Sequence, residues 1–343
     1  MKDTVFAIDL AKSVFQLAVS HHPGRVSKQY RLTRSQLLRF MGKQPAATVL
    51  MEACGSAHFW GRELDRLGHR VRLLPVRHVA PYRTGNKTDR IDVEAMLEAG
   101  RNEKICDVPV KSIDQQGLTA LHRVRSRWLA CRTARINTLR GLLREFGLVM
   151  PLGARRVVPQ VRAWIDDAEV GIPTPIRAVL RELCDEIGEL ERRMHLVEDQ
   201  LETIGSHIPA VSQLRTVPGI GPLTGTAIVA FVGSPQRFPS GRHFASYLGL
   251  TPRERSSGTS RHLGRISTRG DTYLRMLLIH GARAVLCHAK RPATQDALRR
   301  WALALEKKRG HNVAAVALAN RIARIAWAIW SRNQEYREVN RQA

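Results

Sequence analysis

The chain has 343 residues, with 55 Lys and Arg against 30 Asp and Glu, a formal net charge of +25 and an isoelectric point of about 11.1. A hydrophobic fraction of 43% supports folded cores and excludes a wholly disordered basic tail. No run approaches the ~18 uncharged apolar residues of a membrane helix, and Met1-Lys2-Asp3 enters a strand pattern with no signal-peptide layout. The five cysteines are scattered without disulfide or zinc spacing. The expectation is a cytoplasmic protein with reduced thiols and no membrane partner. Positive charge spread along the whole chain points to nucleic acid as its partner.

The opening alternates strand and helix patterns. Val5–Asp9, Phe15–Ser20 and Ser27–Leu32 read as strands, with the turn His22-Pro23-Gly24 between the last two. A short helix capped by Ser35 runs to Phe40. Thr48–Ala53 is a buried strand, Ala57–Leu67 a helix ending at Gly68, and Val71–Val76 another strand. After the basic loop 77–87 comes a helix over Thr88–Ala99, with Thr88 as N-cap. The order is three strands, helix, strand, helix, strand.

Beyond residue 112 the character changes. Between Thr119 and Arg162 stand ten Arg against one acid, Glu145, on sequence that begins as a helix with Leu118, Leu121, Leu129, Ile136, Leu139 and Leu143 on one face. The arginines from Arg123 to Arg144 suit contact with a phosphate backbone without reading sequence. Ile176, Leu180, Leu183, Ile187, Leu190, Met194, Val197, Leu201 and Ile204 then recur at spacings of four and three, a coiled-coil seam. Its polar faces are mostly acidic, so it is read as a protein-contacting element that pairs protomers. Val217–Gly225 (VPGIGPLTG) has the pattern of a helix-hairpin-helix, in which the backbone at Gly219 and Gly221 holds a phosphate. A stretch rich in Ser, Gly, Thr and Arg follows over 250–271, then two Ala-rich helices near Tyr273–His288 and Asn312–Trp330.

Asp9 ends the first strand, and Glu52 ends the strand that follows the first helix. In a three-strand, helix, strand sheet of ribonuclease-H-like order these strands are neighbours, which brings the two carboxylates to one edge. Asp89 and Asp92, three apart on a helix, share a face. Four carboxylates at one point repel unless a divalent cation such as Mg²⁺ joins them. Each acid can equally pair with a nearby base such as Lys12, Lys87 or Arg90, and the spacing alone leaves both open.

AIDLAKSVFQLAV around Asp9, MEACGSAHFW around Glu52, NKTDRIDVEAM around Asp89 and Asp92, VPGIGPLTG, GLTPRERSSG and LGRISTRGDTYLRMLLIHGARAVL follow one another over nearly the whole chain. Together they resemble a DEDD transposase of bacterial insertion sequences, of the family numbered one-hundred-and-ten. The resemblance implies an α/β plus all-α protein. Its parts are a ribonuclease-H-like (RuvC-like) nuclease domain over 1–112, a basic helical and coiled-coil region over 113–208, and a mainly helical transposase domain over 209–343 with the helix-hairpin-helix and a catalytic serine. Asp9, Glu52, Asp89 and Asp92 fall on the family's acidic metal ligands, with Mg²⁺ as cofactor. The serine falls on Ser257, next to Ser256, and His262 is the nearby candidate to activate it. Arg253, Arg255, Arg261, Arg265 and Arg269 flank that serine and suit phosphate oxygens. The implied partners are double-stranded DNA at element ends and target, a structured non-coding bridge RNA, and further copies of the chain as a dimer or tetramer. Two other readings fit the residues. One is a Holliday-junction-type metal-dependent endonuclease that uses water; the other is a non-catalytic nucleic-acid-binding protein.

Overall fold

Alternation of apolar side chains builds the N-terminal sheet. The computed structural model describes residues 4–23, 25–86, 88–291 and 296–337, so Gly24 and Lys87 lie outside the described residues. The chain divides into two units, Met1–Gln116 and Gly117–Ala343. In the first, β1 (Val5–Asp9), β2 (Val14–Ser20), β3 (Lys28–Thr33), β4 (Thr48–Glu52) and β5 (Arg70–Leu74) form one sheet in the order β3-β2-β1-β4-β5. The β1–β2 and β2–β3 pairs are antiparallel, and β1–β4 and β4–β5 are parallel.

Side chains alternate across a strand with a period of two. Phe6, Ile8, Val49 and Met51 therefore share one face, where they pack with Leu37 and Met41 of α1 (Arg34–Met41) and Trp60 and Leu64 of α2 (Ala57–Arg66). Ala7 and Leu50 take the other face. The short α3 (Val76–Val79) and the longer α4 (Asp89–Arg101) cover it through Val79, Val93 and Met96. The α1 cap is Thr33, not Ser35. Its hydroxyl accepts from the Gln36 amide, and the Gln36 side chain accepts from the Thr33 amide at 2.9 Å. Thr33 outcompetes Ser35 because this reciprocal pair satisfies two free N-terminal groups.

The second unit is helical around one small hairpin. Its elements are α5 (Ile113–Arg144, which starts in the first unit), α6 (Val157–Asp166), α7 (Thr174–Ser206), α8 (Pro209–Arg215), α9 (Pro222–Val232), α10 (Gly241–Tyr247), the strands β6 (Pro252–Glu254) and β7 (Leu263–Ile266), α11 (Thr272–Ala289), α12 (Ala297–Arg309) and α13 (His311–Arg332). Of these, α6, α10, α12 and the hairpin were not legible beforehand.

Helices α5 and α7 run antiparallel and are stitched by ion pairs. Arg125 meets Glu198 at 2.6 Å, Arg132 meets Glu191 at 2.6 Å, and Arg135 meets Glu186 at 2.7 Å. Ile136, Leu139 and Leu143 pack with Leu180, Cys184 and Ile187 at one end, and Leu118 packs with Val197 and Leu201 at the other. This corrects two expectations. The apolar seam of α7 is covered inside its own chain rather than left for a second protomer, because α5 carries both a matching apolar stripe and the opposite charge. For the same reason Arg125, Arg132 and Arg135 are spent on α7, while Arg123, Arg127 and Arg144 stay exposed.

The largest core gathers Leu214, Ile228, Phe244, Leu278, Leu318 and Ile322 from helices α8 to α13. By length and a mean hydropathy of 1.3, α13 passes for a membrane-crossing helix, but Arg321 and Arg324 interrupt it, so it is not an uncharged apolar run of that length. Its apolar side, with Leu318, Ile322 and Ile329, is buried in this core.

Candidate active site

The register of β1 against β4 decides where the first two acids lie. Val5 pairs with Thr48 and Ile8 with Met51, so Asp9 and Glu52 stand level at the ends of adjacent parallel strands. By the strand period both share the side of Ala7 and Leu50, which α4 covers. Asp89 and Asp92 occupy the first turn of α4, where the positive end of the helix favours acids. The hydroxyl of Thr88 caps that turn by accepting from the Ile91 amide at 3.3 Å, as the sequence indicated.

One residue unremarked in the sequence completes the cluster. Arg83 donates to Glu52 Oε1 at 2.7 Å, and its Nε forms an ion pair with Asp92 Oδ1. That second contact lacks hydrogen-bond geometry, so Asp92, only 6% exposed, keeps a buried oxygen without a hydrogen bond. Burial pushes the Cys54 thiol up, and the charges of Glu52 and then Asp9 push it the same way, so the two carboxylates share its surroundings. The structure thus sets Asp9 and Glu52 level at one end of the sheet and joins Glu52 to Asp92 through Arg83. Asp89 is exposed on the first turn of α4.

These carboxylates suit a divalent cation in kind, since hard oxygen donors bind Mg²⁺, but the buried Asp92 oxygen is already ion-paired with Arg83. With Arg83 between Glu52 and Asp92, no group of three His, Cys, Asp or Glu among the described residues is arranged as a metal site. Two of the four acids, Glu52 and Asp92, are thus ion-paired, and through Arg83. Arg90 pairs with Glu94 instead.

The serine pair lies in the second unit, on the β6–β7 hairpin. Ser257 and Ser260 exchange backbone hydrogen bonds at 3.2 and 3.1 Å around Gly258 and Thr259. Gly258 has φ +56, the left-handed conformation that a two-residue hairpin turn calls for. The two hydroxyls differ. Ser256 Oγ donates to Glu254 Oε1 at 2.9 Å, and Arg261 Nε donates to the same oxygen at 3.1 Å. The Ser256 hydrogen bond, then the Arg261 charge, hold the Glu254 carboxyl below its usual range. Ser257 is exposed, and its hydroxyl makes no hydrogen bond among the described residues. His262, the expected activator, engages Ser260 Oγ at 3.0 Å.

The flanking arginines separate in the same way. Arg253 donates to the Ser267 carbonyl at 3.1 Å and braces the hairpin. Arg261 is held by Glu254. Arg255 and Arg265 are exposed without an ion-pair partner among the described residues, and Arg269 is exposed as well.

The glycine turn joins α8 to α9 as a helical hairpin. Val217 and Ile220 are buried and anchor it, while Gly219 has φ +87 and packs against the backbone of α11. Gly221 caps α9 in extended conformation with open space beside it, and Pro222 follows as the first helical residue.

Known families match both units. Residues 211–299 match the Transposase IS116/IS110/IS902 family, and residues 6–147 match a family described as Transposase, with the DEDD acids and IS110 in its label. The chain is similar to a "Probable family 20 transposase" of Pseudomonas aeruginosa, 45% identical over 333 residues, 96% of this chain and 97% of the relative. It is 37% identical to the "Transposase for insertion sequence element IS1111A" of Coxiella burnetii over 98% of this chain and 92% of the relative. A "Pilin gene-inverting protein" of Moraxella lacunata is 30% identical over 36% of this chain and 38% of the relative. Matches of this identity across almost the full length of both partners establish that the chain belongs to the IS110 family of insertion-sequence transposases, enzymes that cut and rejoin DNA.

Proposed function

We propose that the enzyme breaks DNA through a phosphoserine link formed by Ser257, with Asp9, Glu52, Asp89 and Asp92 as the acids of a Mg²⁺ site. The observation that carries this reading is the contrast between adjacent hydroxyls: Ser256 is tied to Glu254, and Ser257 stands free at the hairpin tip. In the first step a bond forms between Ser257 Oγ and the phosphorus, and the bond from phosphorus to the departing sugar oxygen breaks. The serine proton leaves through water, and the departing oxygen takes one up. In rejoining, a sugar hydroxyl of the other strand attacks the same phosphorus and Ser257 is released, so the bond energy of the phosphodiester is conserved. Arg255 and Arg265 hold phosphate oxygens beside the serine. A bound divalent cation would supply electrophilic polarisation of the phosphate. Arg83 withdraws from Glu52 and Asp92 when they serve as its ligands.

The same reading includes a ribonuclease-H-like first domain over 1–112, a helical region over 113–208 and a transposase domain over 209–343. The sheet order β3-β2-β1-β4-β5 supports the first of these. It also includes a bridge RNA that selects the DNA by pairing, which fits an aromatic content of only 6%. The working form is a dimer or tetramer in the cytoplasm. With the α7 seam covered from Leu180 to Leu201, its exposed end at Ile204 and the off-seam Val179 and Leu196 are what that helix offers a second copy.

The test is a denaturing gel of protein incubated with DNA carrying the element ends and the RNA that co-purifies with it. Ser256→Ala should keep the covalent protein–DNA species and Ser257→Ala should lose it together with strand cleavage. Cleavage by Ser257→Ala at the wild-type rate would mean that water is the nucleophile.

A further inference from the structure

A second basic feature lies beside the β6–β7 hairpin, within the same unit. The start of α10, the strand β7 and the helices α12 and α13 enclose an open groove of about 1530 Å³. Gly241 makes one wall possible, because a Cβ there would meet the Arg324 carbonyl oxygen at 2.9 Å, so α10 leans directly on the α13 backbone. Arg242, Arg265, Arg309, Arg321 and Arg324 line the groove, and among the described residues no acid does. The floor is of a different kind: Val313, Val316 and Ala317 from α13 are apolar, and Val313 is 48% exposed. Above it the guanidinium of Arg321 lies 4.7 Å from the ring centre of Trp301, itself 36% exposed.

We infer that this groove binds an unpaired DNA strand, with bases stacked on the Trp301–Arg321 pair and phosphates held by the surrounding arginines. Two features select that occupant. Five arginines without an acid demand a polyanion, and a second copy of a chain with net charge +25 is repelled from them. A duplex keeps its base faces internal and would leave the apolar floor and the indole idle, whereas an unpaired strand presents a π-face at every base. DNA is the polymer the family cuts and rejoins, and strand exchange leaves part of it unpaired. The groove stands whether or not Ser257 is the nucleophile.

The experiment uses the full chain carrying Ser257→Ala in buffer with EDTA and no divalent cation, so that neither a serine nor a metal-activated water cleaves the strand during the measurement. Photo-crosslinking to a single-stranded oligonucleotide bearing 5-iododeoxyuridine should mark peptides of α12, α13 or β7. Trp301→Ala should weaken binding of that strand about tenfold while leaving a duplex of the same sequence within twofold, and Trp301→Phe should retain most of the affinity. Arg324→Gln should lower the salt slope of strand binding by about 0.7. The inference fails if the crosslinks map only elsewhere, if Trp301→Ala binds the strand like its parent, or if strand and duplex weaken equally. A change of oligomeric mass in Trp301→Ala, with strand affinity unaltered, would assign the groove to a protein contact instead.

Discussion

A Cβ placed on Gly281 would stand 1.9 Å from the carbonyl oxygen of Gly219, so the glycine turn and α11 meet backbone to backbone. No rotamer relieves such a contact, since the obstacle is main chain. Gly281→Ala should therefore destabilise the protein by about 1–3 kcal/mol or more, read as a lowered midpoint in denaturant. Gly221→Ala is the contrast, because nothing lies within 4 Å of the added methyl and the backbone there is extended. It should melt within about 0.5 kcal/mol of the parent. Equal losses in the two variants would contradict the packing role given to Gly281.

Arg83 supplies the cation for Glu52 and Asp92. Arg83→Gln leaves the buried Asp92 carboxylate without it and should lower the thermal midpoint in metal-free buffer. Millimolar Mg²⁺ should recover most of that loss, because the acids then share a different cation. A deficit identical with and without Mg²⁺ would count against Asp9, Glu52 and Asp92 as ligands.

His122 of α5 is buried, its Nδ1 3.1 Å from the Tyr273 hydroxyl and its Nε2 3.1 Å from Thr226 Oγ1. Burial, aided by the charge of Arg125, holds its pKa at about 4. An unfolded histidine titrates near 6.5, so between about pH 6.5 and 4 the unfolded chain binds the proton and the folded one does not. Stability should be fully present above pH 6.5 and fall as the pH drops toward 4, by up to about 3 kcal/mol. His122→Gln should be less stable at pH 7 and lose less between pH 7 and 4.5. The difference between the two melting curves isolates this histidine from the carboxylates that titrate alongside it.

The two sets of α5 arginines should separate in a binding assay. Arg123→Gln with Arg127→Gln should reduce the salt slope of nucleic-acid binding by about two, with an unchanged melting midpoint. Arg132→Gln, which removes the partner of Glu191, should leave the slope alone and cost under about 1 kcal/mol of stability. A slope that falls for Arg132→Gln would show that this residue leaves α7 when nucleic acid binds.

The sheet was readable because β1, β2 and β4 bury runs of β-branched and large apolar side chains, while β3 buries none of its residues and followed from the turn before it. Asp9 and Glu52 were readable with it, since a strand end and the three-strand, helix, strand order determine their level. Thr88 announced α4 by its chemistry. Arg83 was not legible: it lies in a basic loop where nothing in the spacing distinguishes it from Arg77 or Arg90. The β6–β7 hairpin escaped for a related reason, as Arg253, Arg255, Arg265 and the serines carry no apolar alternation and all three residues of β6 are exposed. The heptad run of α7 did announce a helix partner. A period of three and four tells which face is buried but not whether the cover comes from the same chain, and the arginines of α5 supplied that answer only once their ion pairs were visible.

The pairing of β1 with β4 has a consequence for how such a chain can diversify. Between Asp9 and Glu52 lie two strands, a helix and their loops, and length changes in those loops leave the two carboxylates level, because the ladder from Val5–Thr48 to Ile8–Met51 sets their height. A single residue gained or lost inside that ladder is another matter. It would rotate Glu52 to the side of the sheet covered by Trp60 and Leu64, into an apolar layer and away from Arg83. Insertions should therefore accumulate around the hairpin and α1, while the five residues of β4 stay fixed in number.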